Sequence, residues 1–249
     1  MAYFFDNLKN NFDFFIRNYL SFSRKNYFEK EEELKNIKTF GLEDKFDLDL
    51  LCLSTKYNFK LNLYFLNVFD KFLSKKENDN ISILDIGSKN WEYAKSEYIF
   101  FNSFNNNFVL DGIELDYNRL NYRFYSRFEV AKFYIKNLKN VNYIKGDLLK
   151  HNKKYDYIIW ILPFITEYPL VKWGLPLRYF KPKEMLSYAY NLLNKNGEMF
   201  IINQGVKEYI IQKELFECLN LKAEYFGEIE DKYNLFNNKR FCSKIIKIN

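Results

Sequence analysis

Asp85, Gly87 and Glu114 are the residues whose types and spacing first suggest chemistry. Gly87 closes the run Ile81-Ser82-Ile83-Leu84-Asp85-Ile86, and Glu114 stands 27 positions beyond it, at the end of a second apolar run. A glycine at a strand end lets the main chain turn sharply and admits a ligand close to the backbone. A carboxylate at the tip of the neighbouring strand can accept both hydroxyls of a ribose. Together they point to a bound nucleoside. A dinucleotide would need G-x-G-x-x-G, because its pyrophosphate lies against main-chain amides at a helix N-terminus. Gly87-Ser88-Lys89-Asn90-Trp91 supplies only the first glycine, and Trp91 is a poor neighbour for a pyrophosphate. S-adenosylmethionine carries no phosphate and tolerates such a loop.

Such residues need a frame that brings strand ends together. From residue 81 the sequence alternates between two apolar periods. Strands are predicted over 81–86, 108–113, 141–144, 155–162 and 199–203, with helices over 91–101, 117–137, 183–193 and 206–220. Alternation of this kind implies parallel strands joined by crossover helices. Segments 222–228 and 241–248 are joined by a polar loop without a helix. They should pair as a hairpin, so that one of them runs antiparallel at the sheet edge. The expected fold is α/β: an open, mostly parallel, seven-stranded Rossmann-like sheet with an antiparallel edge strand, preceded by a helical region.

That helical region spans 1–78 and is expected to serve as a cap or an oligomer interface, with the S-adenosylmethionine-binding domain at 79–249. Phe4, Phe5, Leu8, Phe12, Phe15, Ile16 and Tyr19 recur at helical spacing and form one apolar stripe. Glu29-Lys30-Glu31-Glu32-Glu33-Leu34-Lys35 reads as a solvated helix face, 61–72 as a further apolar helix and 74–80 as a linker.

Five short motifs, in order, resemble those of class I S-adenosylmethionine-dependent methyltransferases. They are Leu84-Asp85-Ile86-Gly87, Gly112-Ile113-Glu114-Leu115-Asp116, Lys145-Gly146-Asp147-Leu148, Tyr155-Asp156-Tyr157-Ile158-Ile159 and the turn Leu192-Leu193-Asn194-Lys195-Asn196-Gly197-Glu198-Met199. The resemblance implies S-adenosylmethionine as cofactor. Asp85, Gly87 and Ser88 would form the loop near its methionine end, Glu114 would hold the ribose, and Asp147 would face the adenine amino group between Leu115 and Leu148. Ser88, Lys89 and Asn90 stand where the family usually has further glycines. The transferred methyl would meet its acceptor after the fourth strand, in the segment that contains Pro163 and Glu167. Ile161-Leu162-Pro163-Phe164 lacks the polar residue that amino-DNA methyltransferases place before proline, which disfavours that route to a DNA adenine. Trp173 and Arg178 lie in the long aromatic loop beyond, where they would either pack over the acceptor, with Arg178 on an anionic group, or tie the loop to the N-terminal helices. No residue is assigned as catalytic. The sulfonium is already activated, so alignment of the nucleophile carries most of the rate.

Composition sets the outer bounds. The chain has 249 residues, nearly half of them hydrophobic, and a formal charge of +6 with Lys and Glu interspersed. That is enough apolar material for a sizeable core and too little clustered charge for a dedicated nucleic-acid binder. Three widely spaced cysteines and one histidine, His151 in a polar turn, argue against a zinc site and fit a reducing cytoplasmic location. No apolar run reaches the length of a membrane span. The leading expectation is a methyltransferase acting on a small molecule, with a homo-oligomer through the N-terminal helices as a further expectation. The competitors are an aminopropyl-type transferase and a non-catalytic binding protein on the same fold.

Overall fold

Strict alternation of buried side chains builds the two faces of a central sheet. In β1 (Ile81–Ile86) Ile83 packs into one apolar cluster while Leu84 and Ile86 pack into another. Tyr157, Ile159 and Ile161 of β4 (Tyr155–Ile161) join the first cluster, and Ile158 and Trp160 the second. Such a period of two with both faces apolar marks strands buried between helical layers. The computed structural model describes residues 3–19, 26–34, 38–76, 79–230, 232–233 and 235–248.

The other strands are β2 (Phe108–Glu114), β3 (Val141–Lys145), β5 (Leu193–Gln204), β6 (Ala223–Glu228) and β7 (Arg240–Ile246). Their order across the sheet is β3-β2-β1-β4-β5-β7-β6. All neighbours from β3 to β5 pair in parallel, whereas β7 pairs antiparallel with both β5 and β6. The expected hairpin thus closes one side of a seven-stranded α/β sheet.

Eight helices are described: α1 (Phe4–Tyr19), α2 (Asp49–Cys52), α3 (Lys56–Phe72), α4 (Ala94–Asn102), α5 (Arg127–Ile135), α6 (Glu167–Lys172), α7 (Pro182–Leu192) and α8 (Gly205–Cys218). α3, α4 and α5 cover the first face of the sheet; α7 and α8 cover the second. α3 is apolar nearly all round because it lies between the sheet and an outer layer carrying Leu42, Phe46 and Leu51. Two of its three buried amides, Asn58 and Asn62, donate to the Glu92 carbonyl, which satisfies polar groups that burial would otherwise penalise. α3 therefore shares one core with the sheet, and the change of character near residue 78 is a change of element rather than of core.

Three expectations are corrected. The acidic stretch from Glu29 is extended, not helical: Glu32–Glu33 pairs antiparallel with Leu53–Ser54, and the acids tie neighbouring elements together. Glu29 accepts from the Tyr134 hydroxyl at 2.6 Å, and Glu31 meets Lys95 at 3.8 Å. Lys35, like Glu77 and Asn78 of the expected linker, lies outside the described residues. The helix expected over 117–137 is only Arg127–Ile135. Upstream of it the Asn121 side chain accepts from the amides of Arg123 and Tyr125, and the reciprocal capping box of Ser126 and Glu129 fixes the start. The helix expected from Trp91 begins at Ala94, because Trp91 itself is left-handed with φ 48°. The apolar stripe of α1 faces outward, whereas its inward face carries Asn10 and Phe14. No helix of the described residues is long and apolar enough to cross a membrane.

Candidate active site

The carboxyl ends of β1, β2, β3 and β4 open onto a cavity of about 260 Å³. It lies where the strand order reverses, between β1 and β4, which is where open α/β sheets bind ligands. Its floor includes Gly87, Lys89, Glu114 and Leu115. Asp147 and Leu148 close the β3 side, and Pro163, Phe164, Leu170 and Tyr179 form the wall beyond β4.

The loop after β1 keeps the conformation of a glycine-rich turn with one glycine. Gly87, Lys89 and Trp91 all have left-handed backbones, with φ 73°, 55° and 48°. For the two non-glycines this is strained by about 1 kcal/mol each. The loop is anchored by Gly87 N–H donating to the Ile113 carbonyl at 2.8 Å and Trp91 N–H to Ser88 at 2.8 Å. Burial of the indole offsets the strain. Trp91 is fully buried and donates from Nε1 to Glu97 Oε2 at 2.7 Å. Its ring lies against Gly112 of β2, where an added Cβ would sit 2.8 Å from the ring carbons. Gly112→Ala is therefore expected to destabilise the protein by about 1–3 kcal/mol, read as a lower midpoint in urea with an unchanged slope.

Glu114 is buried and heavily engaged. Its Oε1 accepts from Asp116 N–H at 2.7 Å and from Arg127 Nη1 at 2.9 Å, while Oε2 accepts from Lys89 N–H at 3.0 Å. A carboxylate offers about four acceptor positions, so one direction at Oε2 is left for a ligand hydroxyl. Asp85 is fully buried behind the loop. Its Oδ2 accepts from the Tyr93 hydroxyl at 2.8 Å, and Oδ1 has no protein partner. Burial, with the negative charge of Glu114 adding to it, pushes the Asp85 carboxyl well above the usual carboxylate range; the Tyr93 bond and Lys89 oppose this.

Lys89 brings its side chain over the cavity floor. Its Nζ lies 4.3 Å from the ring centre of Trp173, which also faces the Arg127 guanidinium at 5.8 Å. The ammonium is packed around by protein yet borders the cavity. Desolvation, helped by the nearby Arg127 charge, lowers its pKa to about 8 despite the attraction of Glu114.

Of the residues singled out from sequence, Gly87, Glu114, Leu115, Asp147, Leu148, Pro163 and Arg178 border the cavity. Asp85 and Ser88 do not; both are fully buried beneath the loop. Glu167 is exposed in the first turn of α6 and does not line the cavity. Trp173 also lies outside the lining and acts instead as the aromatic cover of Lys89 and Arg127. The loop over 163–180 walls the cavity and also packs on α1. Asn10 donates to the Val171 carbonyl at 2.8 Å, and Arg17 forms a two-pronged pair with Asp116 at 2.6 and 2.9 Å. Asp147 caps a short turn by accepting from Leu149 N–H at 3.0 Å. His151 is half-buried rather than exposed, with Nε2 2.7 Å from the Tyr155 hydroxyl, and is not part of the cavity wall. Sequence reasoning missed Lys89, Arg127, Tyr179, Lys181 and Met185 as lining residues. The one sequence signal for Arg127 is the Ser126-Arg127-Phe128-Glu129 capping box, which places it in the first turn of a helix.

The fold is shared with several solved structures. The chain aligns with a putative class I S-adenosylmethionine-dependent methyltransferase from Listeria monocytogenes at TM-score 0.53 and 12% identity, covering 76% of this chain and 60% of that one. A methyltransferase from Pyrococcus furiosus aligns at TM-score 0.50 and 20% identity, over 74% of this chain and 84% of that one. The plantazolicin methyltransferase BpumL, solved in complex with SAH, aligns at TM-score 0.50 and 12% identity, over 77% and 85%. Identities this low speak for the shared Rossmann-like fold. No family model matches the sequence, and no curated protein does.

Proposed function

We propose that the chain is an S-adenosylmethionine-dependent methyltransferase acting on a small molecule. The observation that carries this reading is the loop after β1, which holds three left-handed residues beside a cavity at the switch point although two of them are not glycine. A strained turn of this kind persists where a ligand site requires it. The residues fit the cofactor. Glu114 keeps one acceptor direction for a ribose hydroxyl, Leu115 and Leu148 flank the place for an adenine, and Asp147 stands at its edge. When bound, S-adenosylmethionine supplies a methyl group already activated on a sulfonium. The chain's own part is then to orient the acceptor and exclude water, and no base is needed unless the acceptor atom carries a proton.

The wall beyond β4 characterises the acceptor. Phe164, Ile165, Leu170, Leu175 and Met185 make it apolar, and Arg178 and Lys181 stand at its rim. This suits an apolar or aromatic acceptor with an anionic group. It does not suit a polyamine, so an aminopropyl-type transfer is the weaker reading. The helix α1 acts here as a cap, since it buttresses the loop that walls the acceptor end. The binding-protein reading draws on one specific observation, the saturation of most of Glu114 by Arg127 and two amides.

Calorimetric titration with S-adenosylmethionine and S-adenosylhomocysteine separates these. Micromolar binding of both is expected. Absence of heat and of any thermal-shift response to either ligand would sink the methyltransferase reading and leave a binding role on this fold.

A further inference from the structure

The face of α1 that turns away from the protein is the apolar one. Its polar residues serve the fold: Asn10 donates to the carbonyls of Val171 and Leu175, Asn7 accepts from Leu177 N–H, and Arg17 is spent on Asp116. Phe4, Phe5, Leu8, Phe12, Phe15 and Tyr19 are left outside, with Phe5 83% and Phe12 66% exposed. At 3.6 residues per turn they fall on a single stripe. Their ring contacts among the described residues stay within the helix, Phe4 on Phe5 and Phe15 stacked on Tyr19. An apolar patch of this continuity on a helix whose other face is fully docked marks an interaction site.

We propose that the stripe is a homodimer interface in which the α1 helices of two copies pack antiparallel about a two-fold axis at Phe12. Charge argues for a second copy. Lys9 and Asp13 lie on the same edge of the stripe, one turn apart, and both are exposed. In an antiparallel pair like edges meet, so with Phe12 on the axis each Lys9 lies level with Phe15 of the other copy, two residues or about 3 Å along the helix from its Asp13, a gap a lysine side chain spans, twice by symmetry. With Phe12 on the axis, Leu8 opposes Ile16 and Phe5 opposes Tyr19 of the second copy. Area argues the same way. Side chains of about 150–250 Å², exposed to the extent seen here, offer roughly 800 Å² per copy, the scale of a standard interface. A membrane surface would select a basic edge. Here Lys9 and Asp13 cancel, and Asp6 is already paired with Lys172 at 3.8 Å. Because α1 also buttresses the cavity wall through Asn10 and Arg17, the dimer braces that wall. The inference does not depend on the methyltransferase reading.

Sedimentation velocity and equilibrium on the full chain test it. The wild type is expected to be dimeric at micromolar concentration. Phe12→Glu places two carboxylates on the axis and should raise the dissociation constant about 100-fold or more, with an unchanged far-ultraviolet circular dichroism spectrum. Lys9→Asp should weaken the dimer, and adding Asp13→Lys should restore it, a rescue that a merely sticky surface would not give. A wild type that stays monomeric up to about 100 µM overturns the proposal, as does a Phe12→Glu protein that still dimerises. A monomer that co-sediments with phosphatidylserine-containing vesicles would assign the stripe to a membrane instead.

Discussion

Glu114→Ala is expected to abolish measurable binding of S-adenosylmethionine and also to destabilise the fold by about 3–5 kcal/mol. The two effects have different origins. Loss of binding follows from removing the ribose acceptor at Oε2. Loss of stability follows from leaving the Arg127 guanidinium, itself 8% exposed and 2.9 Å from Glu114, buried with only the more distant Asp116 at 4.0 Å to offset its charge. The amides of Lys89 and Asp116 lose their acceptor at the same time. A second substitution separates them. Glu114→Ala with Arg127→Met removes the unpaired cation and should regain most of the lost stability in urea unfolding, yet none of the binding in calorimetry. Binding that survives Glu114→Ala would refute the placement of the ribose. Stability that survives it would show that the Arg127 pair is better solvated than its geometry indicates.

Lys89→Gly is expected to tighten binding of S-adenosylmethionine about tenfold while changing S-adenosylhomocysteine far less. Two unit charges about 10 Å apart at an effective dielectric of about 20 repel by about 1.7 kcal/mol, which is the scale of a tenfold change. The sulfonium carries that charge and the thioether product does not. The same reasoning fixes the pH dependence of the wild type. Lys89 has its pKa lowered to about 8, so it is cationic below that pH and neutral above it. Affinity for the sulfonium should therefore rise as pH passes upward through about 8, and Lys89→Gly should flatten that rise. The folded pKa also lies below the ordinary lysine value, so the unfolded chain binds more protons between about 8 and 10.5 and stability climbs across that window. Glycine at φ 55° further relieves backbone strain, so the variant should melt higher at pH 7. Tighter binding of both ligands by the same factor would mean that the gain is steric, not electrostatic.

The parts of this protein that were legible in the sequence are those governed by local period and by strand-end chemistry. Buried strands such as Ile81–Ile86 and Tyr155–Ile161 are nearly continuous apolar runs between polar turns, and their order with the helices dictates a parallel sheet. Gly87 and Glu114 could be found because each closes such a run. What stayed hidden depends on contacts between distant segments. Nothing in the spacing of Arg127 tells that it reaches back to Glu114. Lys89 read only as a lost glycine, since a sequence shows which residue occupies a loop and not that the backbone keeps its left-handed turn. The orientation of α1 stayed hidden for a related reason. Its apolar stripe satisfies the rule for a core-facing helix, but asparagines able to bond the main chain of residues 171–177 make the polar side the adhesive one.

The fit of Trp91 against Gly112 has an evolutionary consequence. The indole fills the volume that a side chain at 112 would take, so the two positions form a lock that single substitutions spoil from either side. Shrinking residue 91 to glycine opens a void beneath the loop, and enlarging residue 112 alone collides with the ring. A lineage could gain a glycine-rich turn here only by a paired exchange, small at 91 and larger at 112. Relatives of this chain should therefore carry the two residues in compensating sizes, and a bulky pair would be absent among those that fold.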